Sequence, residues 1–147
     1  MSTGNDAVAQ DLENTLYLDL KDGRVVIQLR PDLAPNHVAR IKELTREGFY
    51  DGLNFHRVIE GFMAQTGDPK GNGTGGSGQK LDAEFSNERH VRGTVSMARS
   101  ANPNSADSQV TEGMEYVDMI KKGAPWANGS VADPDQIVKM QVAADAQ

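Results

Sequence analysis

The feature that most limits the fold is a run of alternating side chains near the start of the chain. Apolar residues occupy every second position on both sides of an Asp-Gly pair, with mostly polar residues between them. A period of two places alternate side chains on opposite faces of a strand, which is typical of a half-buried sheet. Residues 15–29 therefore predict an antiparallel hairpin. Its apolar positions are Leu16, Leu18, Leu20, Val25, Ile27 and Leu29.

Two later segments have the three-residue apolar spacing of a helix. Asn36 is placed to cap the first, and Gly48 suits the left-handed residue after its last turn. Thr111 is placed to cap the second, which Gly123 ends. The apolar stripes are Val38, Ile41 and Leu44 in the first helix and Met114, Val117 and Ile120 in the second.

The other extended segments are short. Residues 53–65 contain two strand-like pieces joined at Glu60-Gly61, residues 94–99 form another, and Val138, Met140 and Val142 alternate in a last strand. The total is about six strands, with two helices far apart in the sequence. This pattern predicts a mainly β fold, a closed or nearly closed antiparallel barrel whose open ends are covered by the helices.

Composition excludes several classes of protein. The chain has 147 residues, a net charge of −6 and no cysteine. This length suits one domain, and the lack of a Lys/Arg cluster argues against nucleic acid or anionic membrane as a partner. Residues 1–14 predict a polar, frayed lead without the features of a secretory signal. We expect residues 15–147 to form a single domain of a cytoplasmic protein.

The glycine-rich segment at residues 67–78 contains six glycines in twelve residues, which predicts a loop, either ordered or flexible. Residues 71–76 match the dinucleotide-binding pattern G-x-G-x-x-G, but no helical pattern follows to receive a pyrophosphate. We therefore predict no nucleotide site. The three histidines, His37, His56 and His90, lack the spacing that presents two ligands to one metal, so no metal is expected.

Residues 55–65 place polar side chains at strand positions. In a strand, Phe55, Arg57 and Ile59 share a face, and Phe62 and Gln65 fall near the same surface after the Gly61 turn. One interpretation is an arginine that covers core aromatics at an edge strand. The other is an apolar pocket with one cation and one amide, suited to a small apolar ring attached to a polar backbone.

Two longer segments, FHRVIEGFMAQTGDPKGNGTGG and GTVSMARSANPNSADSQ, resemble the signature of cyclophilins, the peptidyl-prolyl cis-trans isomerases, in their short bacterial form. The resemblance extends to HVARIKELTREGFYDG, to GMEYVDMIKKG and to the final strand. It implies an eight-stranded antiparallel barrel capped by two helices. It also implies isomerisation of X-Pro bonds during protein folding, without a cofactor.

The resemblance implies a role for each site residue. Arg57 is the expected catalytic residue, donating a hydrogen bond to the prolyl nitrogen. Phe62 and Met63 are expected to line the proline pocket, Gln65 to hold the substrate carbonyl, and His56 to form a neighbouring wall. The flanking peptide is expected along Gly73, Ala98, Arg99 and Gln109. Expected partners are proline-containing peptides, unfolded segments and cyclosporin-type cyclic peptides, bound by a monomer.

One segment of the family pattern is missing. Cyclophilins continue after the residues that match Ser108-Gln109 with a phenylalanine-rich strand, a loop and another strand, whereas Gln109 here runs directly into Val110. The missing segment supplies the phenylalanine floor of the family's pocket. A non-catalytic proline-peptide binding module, or a destabilised relic of a cyclophilin, therefore stays open as an alternative. An oligosaccharide-binding barrel is a third, with few exposed aromatic residues to support it.

Overall fold

The computed structural model describes residues 12–89, 93–112, 120, 122–123 and 127–146. This part of the chain forms seven strands in two antiparallel sheets and one α-helix. The strands are β1 (Thr15–Leu20), β2 (Gly23–Gln28), β3 (Arg57–Ile59), β4 (Met63–Thr66), β5 (Ser96–Met97), β6 (Val110–Glu112) and β7 (Lys139–Val142), and the helix is α1 (Pro35–Arg46). The mainly β, antiparallel fold expected from the sequence is thus confirmed.

The first sheet has the order β2–β1–β7. The predicted hairpin is confirmed, since β1 pairs with β2 from Thr15 opposite Gln28 to Leu20 opposite Gly23. The apolar face of the hairpin is buried, and β7 pairs with the edge of β1 that faces away from β2. The prediction for the last strand was wrong at one end. Val138 precedes β7 and is 61% exposed, although its N–H donates to the Asp19 carbonyl of β1 at 2.9 Å, and the neighbouring Ile137 is buried in its place.

The second sheet has the order β3–β4–β6–β5. Thr111, predicted as a helix cap, lies instead in the middle of β6, paired with both Gln65 and Ser96. Two neighbouring strands offer this segment backbone partners on both sides, and that pairing outweighs the local capping preference. The rest of the predicted second helix, with Met114 and Val117, lies outside the described residues. Ile120 is buried in the core.

Helix α1 packs the predicted stripe inward, since Val38, Ile41 and Leu44 are buried. The predicted N-cap was wrong by position: the helix begins at Pro35 after Ala34, without a side-chain cap from its own segment. The Glu84 carboxylate caps it from a distant loop, accepting hydrogen bonds from the backbone N–H of Asn36 (3.0 Å) and His37 (2.8 Å). Gly48 has the expected positive φ of 75° just after the helix.

The two sheets enclose the core but do not form one ladder among the described residues. A cavity of about 790 Å³ opens between β2 and β5. Its lining combines apolar residues, among them Leu16, Ile27 and Met140, with charged residues such as Arg30, Glu84 and Arg89. Unpaired strand edges and open volume beside apolar side chains both weaken a sheet core. Packing is therefore least complete along this opening.

The first described residues contact α1. Leu12–Asn14 form a 3₁₀ turn, and Glu13 makes ion pairs with Lys42 and Arg46 of α1. Residues 1–11 of the expected polar lead lie outside the described part. No helix within the described ranges is both long and apolar enough to cross a lipid bilayer.

Candidate active site

The centre of the site is a pair of residues that face each other across two strands. Strands β3 and β4 are joined by a tight turn at Glu60–Phe62, which sets Arg57 opposite Gln65. Alternation then buries Val58 and Ala64 on the inner face and places Arg57 and Gln65 on the outer face. The predicted juxtaposition of a cation and an amide is thus present. Arg57 Nη1 donates to Gln65 Oε1 at 3.2 Å.

Two residues to which the sequence analysis gives no role in the site extend this row. Thr111 of β6 lies opposite Gln65, and Ser96 of β5 lies opposite Thr111. Their hydroxyl oxygens are 3.4 Å apart. The outer face of the sheet therefore carries one continuous polar row of Arg57, Gln65, Thr111 and Ser96. Only the pairing of β6 between β4 and β5 creates it, so no local pattern could have predicted it.

Arg57 has a second set of partners in the turn at residues 127–130. Its Nε donates to the backbone carbonyl of Asn128 at 3.0 Å, and its Nη2 donates to Asn128 Oδ1 at 3.1 Å. The sequence analysis gives Asn128 no role in the site. The signal that could have identified the turn is the Asn-Gly pair itself, which favours tight turns with positive φ at both residues.

A chain of amide hydrogen bonds leads from the centre to the glycine-rich loop. Gln65 Nε2 donates to Gln109 Oε1 at 2.6 Å. Gln109 Nε2 in turn donates to the carbonyl oxygens of Gly73 (3.1 Å) and Gly75 (2.9 Å). These contacts fix the orientation of both side-chain amides. The predicted residues Gln65, Gly73 and Gln109 are thereby brought together with Arg57.

The glycine-rich loop is ordered around the Asp68 carboxylate, which is buried. This carboxylate accepts hydrogen bonds from the backbone N–H of Lys70 (2.8 Å), Asn72 (3.0 Å) and Gly73 (2.5 Å). Burial raises the pKa of Asp68, but the N–H donors outweigh it and bring the pKa below its ordinary value. The amides that would cradle a phosphate are already occupied by this carboxylate. The loop therefore does not resemble a nucleotide site.

His56 forms part of the wall between Arg57 and the loop. It is buried, with 7% of its surface exposed, and a Cβ atom at Gly73 would lie 3.7 Å from its Nε2. Neither ring nitrogen makes a hydrogen bond of standard distance and angle in the described part of the chain. Burial lowers the pKa of His56, although the nearby Asp68 charge opposes the shift. The imidazole is therefore neutral near pH 7.

The remaining predicted residues lie around this centre. Met63 begins β4 on the same face as Gln65, and Phe62 lies in the preceding turn with 72% of its surface exposed. The Ala98 backbone N–H donates to the carbonyl of Gln109 at 2.9 Å, and the exposed Arg99 donates to the carbonyl of Ser100 at 2.8 Å. Their contacts with a substrate stay predictions.

Phe55 is a correction to the predicted face. The sequence pattern placed it beside Arg57, but the strand begins only at Arg57, and Phe55 is fully buried in the core. Its backbone N–H donates to the carbonyl of Asp135 at 2.8 Å. Phe55 is therefore part of the core and does not line the site.

Comparison with known proteins identifies the family. A family model described as cyclophilin-type peptidyl-prolyl cis-trans isomerase matches residues 15–109. A probable peptidyl-prolyl cis-trans isomerase of Brucella suis is 53% identical, over 96% of this chain and 88% of that protein. The chain belongs to the cyclophilin-type isomerase family. A peptidyl-prolyl cis-trans isomerase B of Bacillus subtilis is 47% identical over 58% of this chain and 62% of its own length.

Solved structures agree on the fold of this cyclophilin. A cyclophilin of Hirschia baltica has a TM-score of 0.72 at 24% identity, covering 90% of this chain and 74% of its own. One of Cryptosporidium parvum, solved in the presence of the dipeptide Ala-Pro, has a TM-score of 0.75 at 22% identity, covering 87% of this chain and 98% of its own.

The lengths of these matches bear on the missing segment. The family match ends at Gln109, the residue after which the resemblance predicts a lost strand, loop and strand. The alignment with the Brucella suis protein spans 173 positions, 26 more than the 147 residues of this chain. At least 26 positions of that alignment therefore have no counterpart in this chain.

Proposed function

We propose that this cyclophilin catalyses cis–trans isomerisation of X-Pro peptide bonds at the Arg57 face of the second sheet. Rotation about an amide faces a barrier of about 18–20 kcal/mol because the C–N bond is partly double. As the bond twists, the prolyl nitrogen becomes pyramidal and regains a lone pair. A hydrogen bond from Arg57 to that lone pair is stronger in the twisted state than in either planar isomer, which lowers the barrier.

The observation that carries this proposal is the state of the Arg57 guanidinium. A guanidinium has five N–H donors, and the contacts with Gln65 and Asn128 use three of them. One N–H on each terminal nitrogen is left over for a substrate in these contacts. These contacts fix the position of the guanidinium and still leave it N–H donors for a substrate. It therefore needs little reorganisation when the amide twists.

The surrounding residues suit the rest of a proline peptide. Met63 and Phe62 offer apolar surface beside Arg57, and Gln65 keeps one side-chain N–H beyond its bond to Gln109 for a substrate carbonyl. The loop at Gly73 and the strand end at Ala98 border the same face through Gln109. An extended peptide across these elements would place its proline against Met63.

The test is exchange NMR or a protease-coupled assay on an Ala-Pro peptide, with Arg57→Ala compared with the parent chain. We expect kcat/KM to fall about 10²- to 10³-fold, the range for removal of one donor to a developing charge. Arg24→Ala is a matched control, because Arg24 is also a strand arginine but pairs with Asp19 in the other sheet. Full activity in Arg57→Ala would contradict the mechanism.

The alternative, a non-catalytic binding module, is not favoured, because the relatives of high identity are named peptidyl-prolyl cis-trans isomerases. It predicts a parent chain that binds an Ala-Pro peptide but does not accelerate its isomerisation. We further propose unfolded chains as substrates, binding of cyclosporin-type cyclic peptides, a monomer and a cytoplasmic location. Each has a direct measurement: refolding of a proline-limited substrate, cyclosporin titration, sedimentation and fractionation of the source cells.

A further inference from the structure

The turn that contacts Arg57 is attached to β3 by its backbone. Val58 N–H donates to the carbonyl of Gly129 at 2.8 Å, and Val131 N–H donates to the carbonyl of His56 at 3.1 Å. These two bonds bracket Arg57 on the outer edge of β3. The turn therefore cannot shift relative to Arg57 without breaking backbone pairing.

The geometry of the turn depends on its two central residues. The Ser130 N–H donates to the Ala127 carbonyl at 3.1 Å, and both Asn128 and Gly129 have positive φ, 54° and 80°. Positive φ at both positions is the pattern of a type I′ turn, for which Asn-Gly is the favoured pair. A Cβ at Gly129 would lie 2.6 Å from Cγ1 of Ile59, so only glycine fits this close to β3.

This conformation lets one residue hold two sides of the guanidinium. The left-handed backbone of Asn128 presents its carbonyl oxygen to Nε of Arg57 and its side-chain oxygen to Nη2. Gln65 holds the remaining nitrogen, Nη1, from the opposite side. Three acceptors at three different nitrogens fix both the position of the guanidinium and its rotation about the Nε–Cζ bond.

We propose that Asn128 is a positioning residue for Arg57, which orients the guanidinium toward the twisting amide without touching the substrate. This proposal rests on the proposed function of Arg57. Loss of the side-chain oxygen would leave Nη2 without its acceptor and let the guanidinium rotate out of line. The planar substrate makes the same apolar contacts whether or not Asn128 holds the guanidinium. The substitution therefore weakens binding of the twisted transition state and not binding of the planar substrate.

The decisive variant is Asn128→Gly. Glycine accepts the positive φ and keeps the backbone carbonyl that binds Nε, so only the side-chain oxygen is removed. We expect kcat for an Ala-Pro peptide to fall about tenfold, which corresponds to about 1.4 kcal/mol. We expect KM to change less than twofold and the unfolding midpoint to stay close to that of the parent.

Two further measurements separate positioning from stability and from the proposed function. Asp133→Gly is the matched control, because Asp133 is the other described non-glycine residue with a φ of 54°, and it is absent from the Arg57 contacts above. Rotation about the Arg57 Nε–Cζ bond, measured by NMR, is expected to speed up in Asn128→Gly alone. The rotation rate can be measured even if the parent chain has no isomerase activity. Absence of activity in the parent would refute the isomerase proposal separately. Unchanged rotation, or unchanged kcat in an active parent, would refute the positioning role.

Discussion

On the outer face of the second sheet, each side chain of the Arg57 row lies within hydrogen-bond distance of another polar group, whereas the interior behind β5 and β6 contains a cavity of about 790 Å³. The outer face is assembled mainly from residues up to Gln109, where the family match ends. The cavity is likewise lined mostly by residues up to Gln109, and among the described residues that line it Val110 and Met140 come from beyond that point. The difference shows that the polar face of a sheet can be fully hydrogen-bonded while the packing on its other side is not complete.

The physical reason lies in the range of the interactions. Arg57, Gln65 and Gln109 are linked by bonds between neighbouring strands and one ordered loop, so they need only local register. A closed apolar interior needs side chains from every strand around it, and their packing free energy is lost where one strand is missing. In this chain β6 fills the place beside β4, and the gap between β2 and β5 stays open.

The largest effect should come from filling the interior. Inserting a cyclophilin-type strand, loop and strand between Gln109 and Val110 should stabilise the fold by about 3–6 kcal/mol, the value for burying two large apolar side chains. The unfolding midpoint should then rise by roughly 10 °C or more, and isomerase activity should increase as the pocket gains a floor. A glycine-serine insertion of the same length is the control. Equal midpoints and activities in parent and insertion variant would show that the interior is already complete.

A smaller effect is expected from the glycine-rich loop. Asp68→Ala should cost about 3 kcal/mol, since buried N–H donors lose a charged acceptor. Because the fold lowers the pKa of Asp68, its stabilisation is present above the unfolded value near 3.8 and is lost as pH falls through the folded value. Urea unfolding between pH 2.5 and pH 7 measures both effects.

Asn72→Ala is the control for this loop, because Asn72 is exposed and its side-chain oxygen accepts hydrogen bonds from the neighbouring Thr74. We expect it to change stability by less than about 1 kcal/mol. An Asp68→Ala variant as stable as Asn72→Ala would mean that the loop does not depend on the carboxylate.

The smallest effect should come from the titration of His56. The fold lowers its pKa, so the folded state prefers the neutral ring, and stability should decrease as pH falls below the unfolded value of 6.5. His56→Gln should remove this part of the pH dependence. His37→Gln is the control and should retain it, because the substitution in α1 leaves the His56 ring and its buried surroundings unchanged. A parent whose stability is constant between pH 7 and pH 5 would contradict the prediction.

Several elements follow from the sequence alone. The alternating leucines determine the β1–β2 hairpin, and the three-residue stripe determines the buried face of α1, because each pattern matches the geometry of a single element. The FHRVIEGFMAQ segment likewise sets Arg57 opposite Gln65, since a tight turn leaves only one antiparallel register. These interactions lie within a few residues of one another along the chain.

The tertiary structure decided the rest. Thr111 became part of a strand because β4 and β5 offered it partners from 46 and 15 residues away, at Gln65 and Ser96. Asn128 reached Arg57 across 71 positions, and Glu84 capped a helix that begins 49 residues earlier. No local pattern encodes such contacts, since they arise only when distant strands and loops pack together. Closure of the apolar interior also depends on the tertiary structure, because the burial of a side chain depends on all the strands around it and not on any one segment.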